Sequence, residues 1–139
     1  MSFLPEILDQ TLKAALQRSQ PQICLPRYLK EIEQTEKLPE RIIVLGAGKA
    51  SADMANALEC HWQGTEWGAK LTGLVLTRYG YGVPCTSIEI VEAAHPVPDE
   101  IGQITAQRIL NLAESTTDDD LVICLISGGG SALLALPGK

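Results

Sequence analysis

The chain lacks the features that mark several protein classes. It has no apolar run approaching the roughly 18 to 20 residues that a membrane-crossing helix needs. Its opening, "MSFLPEILDQ", has no basic start of the kind a secretory leader carries. The expected location is the cytoplasm. Cys24, Cys60, Cys85 and Cys124 form no CxxC pair and have no histidine set beside them. That argues against a zinc site and a disulfide framework, and for buried or idle thiols. Positive charge is scarce, with 11 Lys and Arg against 17 Asp and Glu and a net charge of −6. Such a field repels nucleic acid and anionic membrane, so neither is an expected partner; a small anionic ligand needs only local positive groups. Internal repeats and low-complexity segments are also absent.

What remains describes one globular domain. The 139 residues suffice for a single core, and 45% hydrophobic with 20% charged residues is an ordinary globular balance. Near the start, Leu4, Leu8, Leu12 and Leu16 recur every four residues beside Phe3, Ile7 and Ala14 or Ala15, which predicts an amphipathic helix ending near Pro21. The stretch from Pro21 to Glu40 mixes prolines with charges and reads as a connection with one short helical piece. The regular pattern begins at Arg41. "RIIVLGAG" is a β-branched run bounded by glycines, as in a strand buried on both faces, and it feeds a helix in "KASADMANALECHW". "LTGLVLTRYGYG" and "SIEIVEAA" supply two further strands. Asp99 can cap the helix "EIGQITAQRILNLAES", with Ile101, Ile104 or Thr105, Ile109 and Leu112 as its core stripe. The acidic turn "TTDDD" then leads into "LVICLIS", the most apolar strand.

Strand, helix, strand, strand, helix, strand is the order of an α/β fold: a Rossmann-like, mostly parallel sheet with helices on both faces, preceded by an N-terminal helix. The division this suggests is a helical segment over 1–40 and an α/β domain over 41–139. Ligands in such sheets bind at the carboxyl ends of the strands. Three glycine-rich stretches fall there: "GAGKAS", "TRYGYG" and "SGGGSAL". Glycines permit positive φ and close approach, so successive amides can form an anion nest, for which phosphate is the natural guest.

"GAGKAS" resembles the opening of a dinucleotide fingerprint, with Gly46 and Gly48 correctly spaced after a strand. Ser51 stands where the third glycine belongs, and the second strand ends in Thr77 and Arg78 rather than an acidic residue that could hold a ribose. The P-loop pattern fails as well. Lys49 opens a helix against the dipole, which costs about 0.3 to 1 kcal/mol and points to an anionic partner. In "SGGGSAL", three glycines exceed what a strand-to-helix turn requires, and Ser127 and Ser131 flank them as hydroxyl donors. Each stretch also has a reading without a ligand. Lys49 can extend into water, "SGGGS" can be a close-packed turn, "RYGYG" a solvent turn, and His95 a hydrogen-bonded structural residue. Asp99 is most simply a cap and "TTDDD" a solvated turn.

In this order, "RIIVLGAGKAS", "VLTRYGYG", "IVEAAHPVPDE" and "LISGGGSALLALP" resemble the N-terminal domain of the glycerate 2-kinase family, the MOFRL-containing glycerate kinases often labelled hydroxypyruvate reductases. The likeness runs from about Arg41 onward. Members of that family are longer and carry a second domain. The resemblance therefore implies a truncated front part of a kinase, inactive alone, with "SALLALPGK" as the start of a helix. It also implies transfer of the ATP γ-phosphate to D-glycerate, giving 2-phosphoglycerate, with Mg2+ as the accompanying ion and a homodimer as a compatible assembly. By that likeness Lys49 is catalytic. Gly46, Gly48, Ser127, Gly128, Gly129, Gly130 and Ser131 bind phosphate, Arg78 and His95 lie toward the substrate, and no residue here is assigned as a metal ligand. Two alternatives stand beside it: an NAD(P)H-dependent hydroxypyruvate reductase with Arg78 at a 2′-phosphate, and a non-catalytic domain that binds a phosphorylated metabolite.

Overall fold

The structure, a computed structural model, describes residues 3–136. Four strands, β1 (Ile42–Ala47), β2 (Leu71–Arg78), β3 (Ile88–Ala93) and β4 (Leu121–Ile126), pair in parallel in the order β3-β2-β1-β4. The helices are α1 (Phe3–Arg18), α2 (Pro21–Thr35), α3 (Ser51–Trp62), α4 (Glu100–Glu114) and the short α5 (Gly130–Leu133). The expected mixed α/β architecture is present, and the sheet is wholly rather than mostly parallel.

Every residue of β1 is buried, because helices cover both sides of it. Ile42 and Val44 point into one cluster with Leu58 and Trp62 of α3 and Leu29 of α2; Ile43 and Leu45 point into the other with Ile109 of α4 and Leu133 of α5. The crossover from β1 to β2 runs through α3, and that from β3 to β4 through α4. Between β2 and β3 the chain crosses without a helix, over residues 79–87. Glu59 of α3 fastens this segment by accepting the amides of Thr86, Ser87 and Ile88.

The strand order makes β1 the turning point of the fold. From β1 the chain builds outward to β2 and β3, then returns to add β4 on the opposite side of β1. This is the beginning of the doubly wound order, and the crevice lies at the carboxyl ends of β1 and β4, where the connections diverge.

The structure corrects four sequence expectations. Residues 21–35 form a fifteen-residue helix rather than a connection. Pro21 sits at its first turn, where a missing amide is harmless, and Pro26 interrupts one bond only. Leu29 of this helix is 2% exposed in the main core, so the segment before residue 41 helps to build that core. The leucine stripe of α1 stays exposed at Leu4, Leu8, Leu12 and Leu16. In α4 the buried face is Gly102, Thr105, Ala106 and Ile109, while Ile101 and Ile104 face outward. Small residues let that helix lie close: a β-carbon on Gly102 would stand 3.4 Å from Cβ of Ala93. Finally, the acidic turn is not all solvated. The Asp120 side chain is 1% exposed and accepts from Nε and Nη2 of Arg41 at 2.9 and 2.6 Å.

Candidate active site

The turns after β1 and β4 are stitched together at the crevice. Gly48 follows β1 at φ +135°, and a β-carbon there would fall 2.2 Å from Oγ of Ser127, so only glycine fits. Its amide donates to the carbonyl of Leu76 in β2 at 3.1 Å. The Lys49 amide donates to the carbonyl of Gly128 at 3.0 Å, and the Ala50 amide to Oγ of Ser127 at 2.9 Å. The Ser51 amide returns to the carbonyl of Gly48 at 3.3 Å. All four donors of the first turn are thus spent inside the protein, and the nest expected at "GAGKAS" is not open there. Gly46 lies buried within β1, where a β-carbon would meet the carbonyl of Leu125 at 3.0 Å; its smallness serves strand packing. Deeper in the first turn of α3, the amides of Ala52 and Asp53 have no backbone partner among the described residues.

The open donors lie in the second turn. Among the described residues, the amides of Gly128, Gly129 and Ser131 make no hydrogen bond, while Gly130 donates to the carbonyl of Ser127 at 3.2 Å. The three glycines answer to different needs. Gly130 lets α5 approach β1, with its missing β-carbon 3.0 Å from the carbonyl of Ala47. Gly129 adopts φ +93°, which L side chains rarely take. Gly128 has neither positive φ nor, among the described residues, a neighbour within 4 Å of its missing β-carbon. Among the described residues nothing requires a glycine at that position.

Two charged or titratable side chains frame this turn. A β-carbon on Gly129 would stand 2.7 Å from Nε2 of His95 and 3.5 Å from Cε of Lys49. His95 follows β3, three strands away from β4, and the segment bearing it folds back across the sheet end. Asp99 holds that fold. Its carboxylate accepts from the amides of Gly102 and Ala94 at 2.8 and 3.2 Å and from the Tyr79 hydroxyl at 2.8 Å. Those donors, Gly102 first, keep the Asp99 carboxyl below its ordinary range, and the Tyr79 phenol is raised in turn by its bond to Asp99. Asp99 is thus the expected cap of α4. Lys49 is exposed and has no carboxylate within ion-pair distance among the described residues. Ser131, in the second turn, is exposed, whereas Arg78, at the end of β2, stacks 4.3 Å over the ring of Tyr81.

Of the residues singled out in the sequence, the structure brings together Lys49, His95, Ser127, Gly128, Gly129 and Ser131. It leaves Gly46 and Gly130 in packing positions and Arg78 against Tyr81. Sequence reasoning missed Thr77, a fully buried hydroxyl that donates to the carbonyl of Gly48 at 3.0 Å. A threonine inside the apolar run "GLVLT" was the available signal. Among the described residues no group of three or more His, Cys, Asp or Glu gathers. A separate cleft of about 290 Å3 lies toward the amino end of β2, between α3 and residues 84–87, away from this turn.

Fold and site together define a doubly wound α/β domain whose topological switch point gathers unbonded amides beside Lys49 and His95. The chain belongs to the family described as Domain of unknown function (DUF4147), whose model matches residues 7–139. It is 42% identical over 95% of its length to a putative hydroxypyruvate reductase of Agrobacterium vitis, of which it covers 28%. It is 36% identical over 97% of its length to the D-glycerate 2-kinase of Thermotoga maritima, covering 31% of that protein. The crystal structure of the Thermotoga maritima glycerate kinase superposes with a TM-score of 0.78 at 32% identity, over 98% of this chain and 31% of that one. The chain therefore spans about a third or less of each relative's length. No described helix is long and apolar enough to cross a membrane.

Proposed function

We propose that this domain holds the phosphate chain of ATP while its γ-phosphoryl group passes to a hydroxyl of D-glycerate. The observation that carries the reading is the meeting of unpaired amides at Gly128, Gly129 and Ser131 with the side chains of Lys49 and His95. Gly128 strengthens it, because a glycine without an internal structural reason is accounted for by a ligand crowded against the main chain. Kinase relatives add support at the level of the family.

Phosphoryl transfer asks a protein for position and positive charge around the equatorial oxygens of the moving group, more than for a covalent partner. The outward amides of the second turn receive phosphate oxygens, and the Lys49 ammonium lies against the same turn to balance charge as it develops. Ser127 accepts from the Ala50 amide and keeps its own proton to donate. His95 also lies against Gly129, where it orients the acceptor. The first turn is the scaffold of the second.

In the full-length protein, Lys49→Ala is expected to lower kcat for glycerate phosphorylation by about a hundredfold or more, the usual loss for one electrostatic contact to a transition state. A rate close to that of the unaltered protein would remove Lys49 from the mechanism. The reductase reading has the names of two relatives in its favour. Against it, Ser51 replaces the third glycine, and the end of β2 offers an inward Thr77 and an Arg78 engaged with Tyr81. NADPH consumption with hydroxypyruvate would favour that reading instead.

A further inference from the structure

We propose that Thr77, together with Ser51, is a positioning residue that fixes Lys49 and aims the Gly129 amide at the ligand. The inference rests on the phosphate-binding reading above. It begins with two hydroxyls that have no exposure at all: Thr77 and Ser51 are both 0% exposed. A hydroxyl buried in an apolar strand is unfavourable unless it is bonded. Both converge on one atom, the carbonyl oxygen of Gly48, with Thr77 Oγ1 at 3.0 Å and Ser51 Oγ at 2.6 Å.

That carbonyl belongs to the peptide between Gly48 and Lys49. Its other end, the Lys49 amide, donates to the carbonyl of Gly128 at 3.0 Å. The plane is therefore clamped on both sides, from β2 and α3 at the oxygen and from the second turn at the nitrogen. Clamping matters at this place because Gly48, at φ +135°, has no side chain to restrain rotation of the adjoining plane. The consequence passes on to the next turn. In a trans peptide the C=O and N–H point in opposite directions. Holding the carbonyl of Gly128 inward on Lys49 turns the N–H of the same peptide, that of Gly129, outward. Thr77 and Ser51 thus act on the ligand through a relay of two peptide planes, and the same clamp sets where the Lys49 side chain leaves the backbone. This also explains why serine occupies the position of the third fingerprint glycine. Its hydroxyl joins α3 to the turn, and it lies 3.3 Å from the carbonyl of Leu76 as well.

The test compares ATP binding by calorimetry and thermal melting for the unaltered full-length protein and its variants Thr77→Val, Thr77→Ser, Ser51→Ala and Lys49→Ala. Valine keeps the shape of threonine and removes the donor. Thr77→Val is expected to melt within a few degrees of the unaltered protein yet bind ATP about three- to tenfold more weakly, the range for one lost hydrogen bond. Thr77→Ser restores affinity to within about twofold, since it restores the donor. Ser51→Ala should weaken ATP binding similarly. Amide exchange at Lys49 should quicken in Thr77→Val and not in Thr77→Ser. ATP affinity unchanged in Thr77→Val, or weakened equally by the serine variant, overturns the proposal. If Lys49→Ala loses affinity while Thr77→Val does not, positioning alone fails. Unaltered affinity in Lys49→Ala, or no ATP binding by the unaltered full-length protein, shows that the site reading itself has failed, and the proposal falls with it.

Discussion

A β-carbon on Gly129 would stand 2.7 Å from Nε2 of His95, although the two residues follow strands at opposite edges of the sheet. Contact of this kind separates the glycines of the second turn by what each must do. Gly129→Ala would force a left-handed φ on alanine, at about 1 to 2 kcal/mol, and push His95 aside, so a loss of at least about 2 kcal/mol of stability is expected. Gly128→Ala meets nothing within 4 Å among the described residues. It should leave stability unchanged or raise it by about 0.4 to 1 kcal/mol through the unfolded chain, while weakening ATP binding about tenfold or more. Chemical denaturation and calorimetry on the two variants decide the matter. Equal ATP affinity in Gly128→Ala would mean that no ligand approaches that glycine.

The same turn shows what was legible in the sequence. Short apolar runs ending in glycine, separated by helical periodicity, identify the parallel sheet and its carboxyl rim, because strand and crossover are local patterns. The places where bonds are spent are not local. Whether the amides of Lys49 and Ala50 face a ligand or face Gly128 and Ser127 depends on a turn some eighty residues later. His95 reaches Gly129 only because Asp99, Tyr79 and Gly102 fold its segment back over the sheet. In α4, hydrophobicity points to Ile101 and Ile104, yet the sheet needs the small face of Gly102 and Ala106, and close approach outweighs side-chain size. In α2, prolines that resemble breakers stand where they do little harm.

Acid should loosen the entry to β4. The Arg41 guanidinium, and after it the Thr117 amide, hold the Asp120 carboxyl at about 2, below its ordinary 3.8. A carboxyl held lower in the folded state stabilises the fold fully above its unfolded value and loses that contribution as pH falls toward the folded one. The window is thus roughly pH 4 down to pH 2. Glu89, held down chiefly by its bond from Arg108, and Asp99 act in the same sense, so part of the acid sensitivity will survive any single change. The melting temperature of the unaltered protein should fall more steeply across that window than that of Asp120→Asn, which should already melt lower at neutral pH. Parallel slopes would show that the pair with Arg41 does not couple to folding.

The helix α2 looks, in sequence, like a connection that a domain could spare, and its packing says otherwise. Leu29 is 2% exposed among Leu58, Trp62 and Ile42, and Leu25 and Ile32 flank the same cluster. Glu33 accepts from Nε1 of the buried Trp62 at 2.6 Å, so the helix also satisfies the one polar atom of that indole. Trp62 in turn stacks on Trp67 at 5.3 Å between ring centres. Removing the Leu29 side chain opens a hole in a closed cluster, and Leu29→Ala should cost about 2 to 5 kcal/mol of folding stability. Leu8, on the neighbouring helix α1, is 60% exposed, and Leu8→Ala should change stability by no more than about 0.5 kcal/mol. The two substitutions remove the same atoms from helices adjacent in the chain, so their contrast in urea unfolding isolates burial from composition. If both are equally mild, α2 is an appendage to a core built from residue 41 onward; a large loss for Leu29 alone makes it a layer of the domain that carries the crevice.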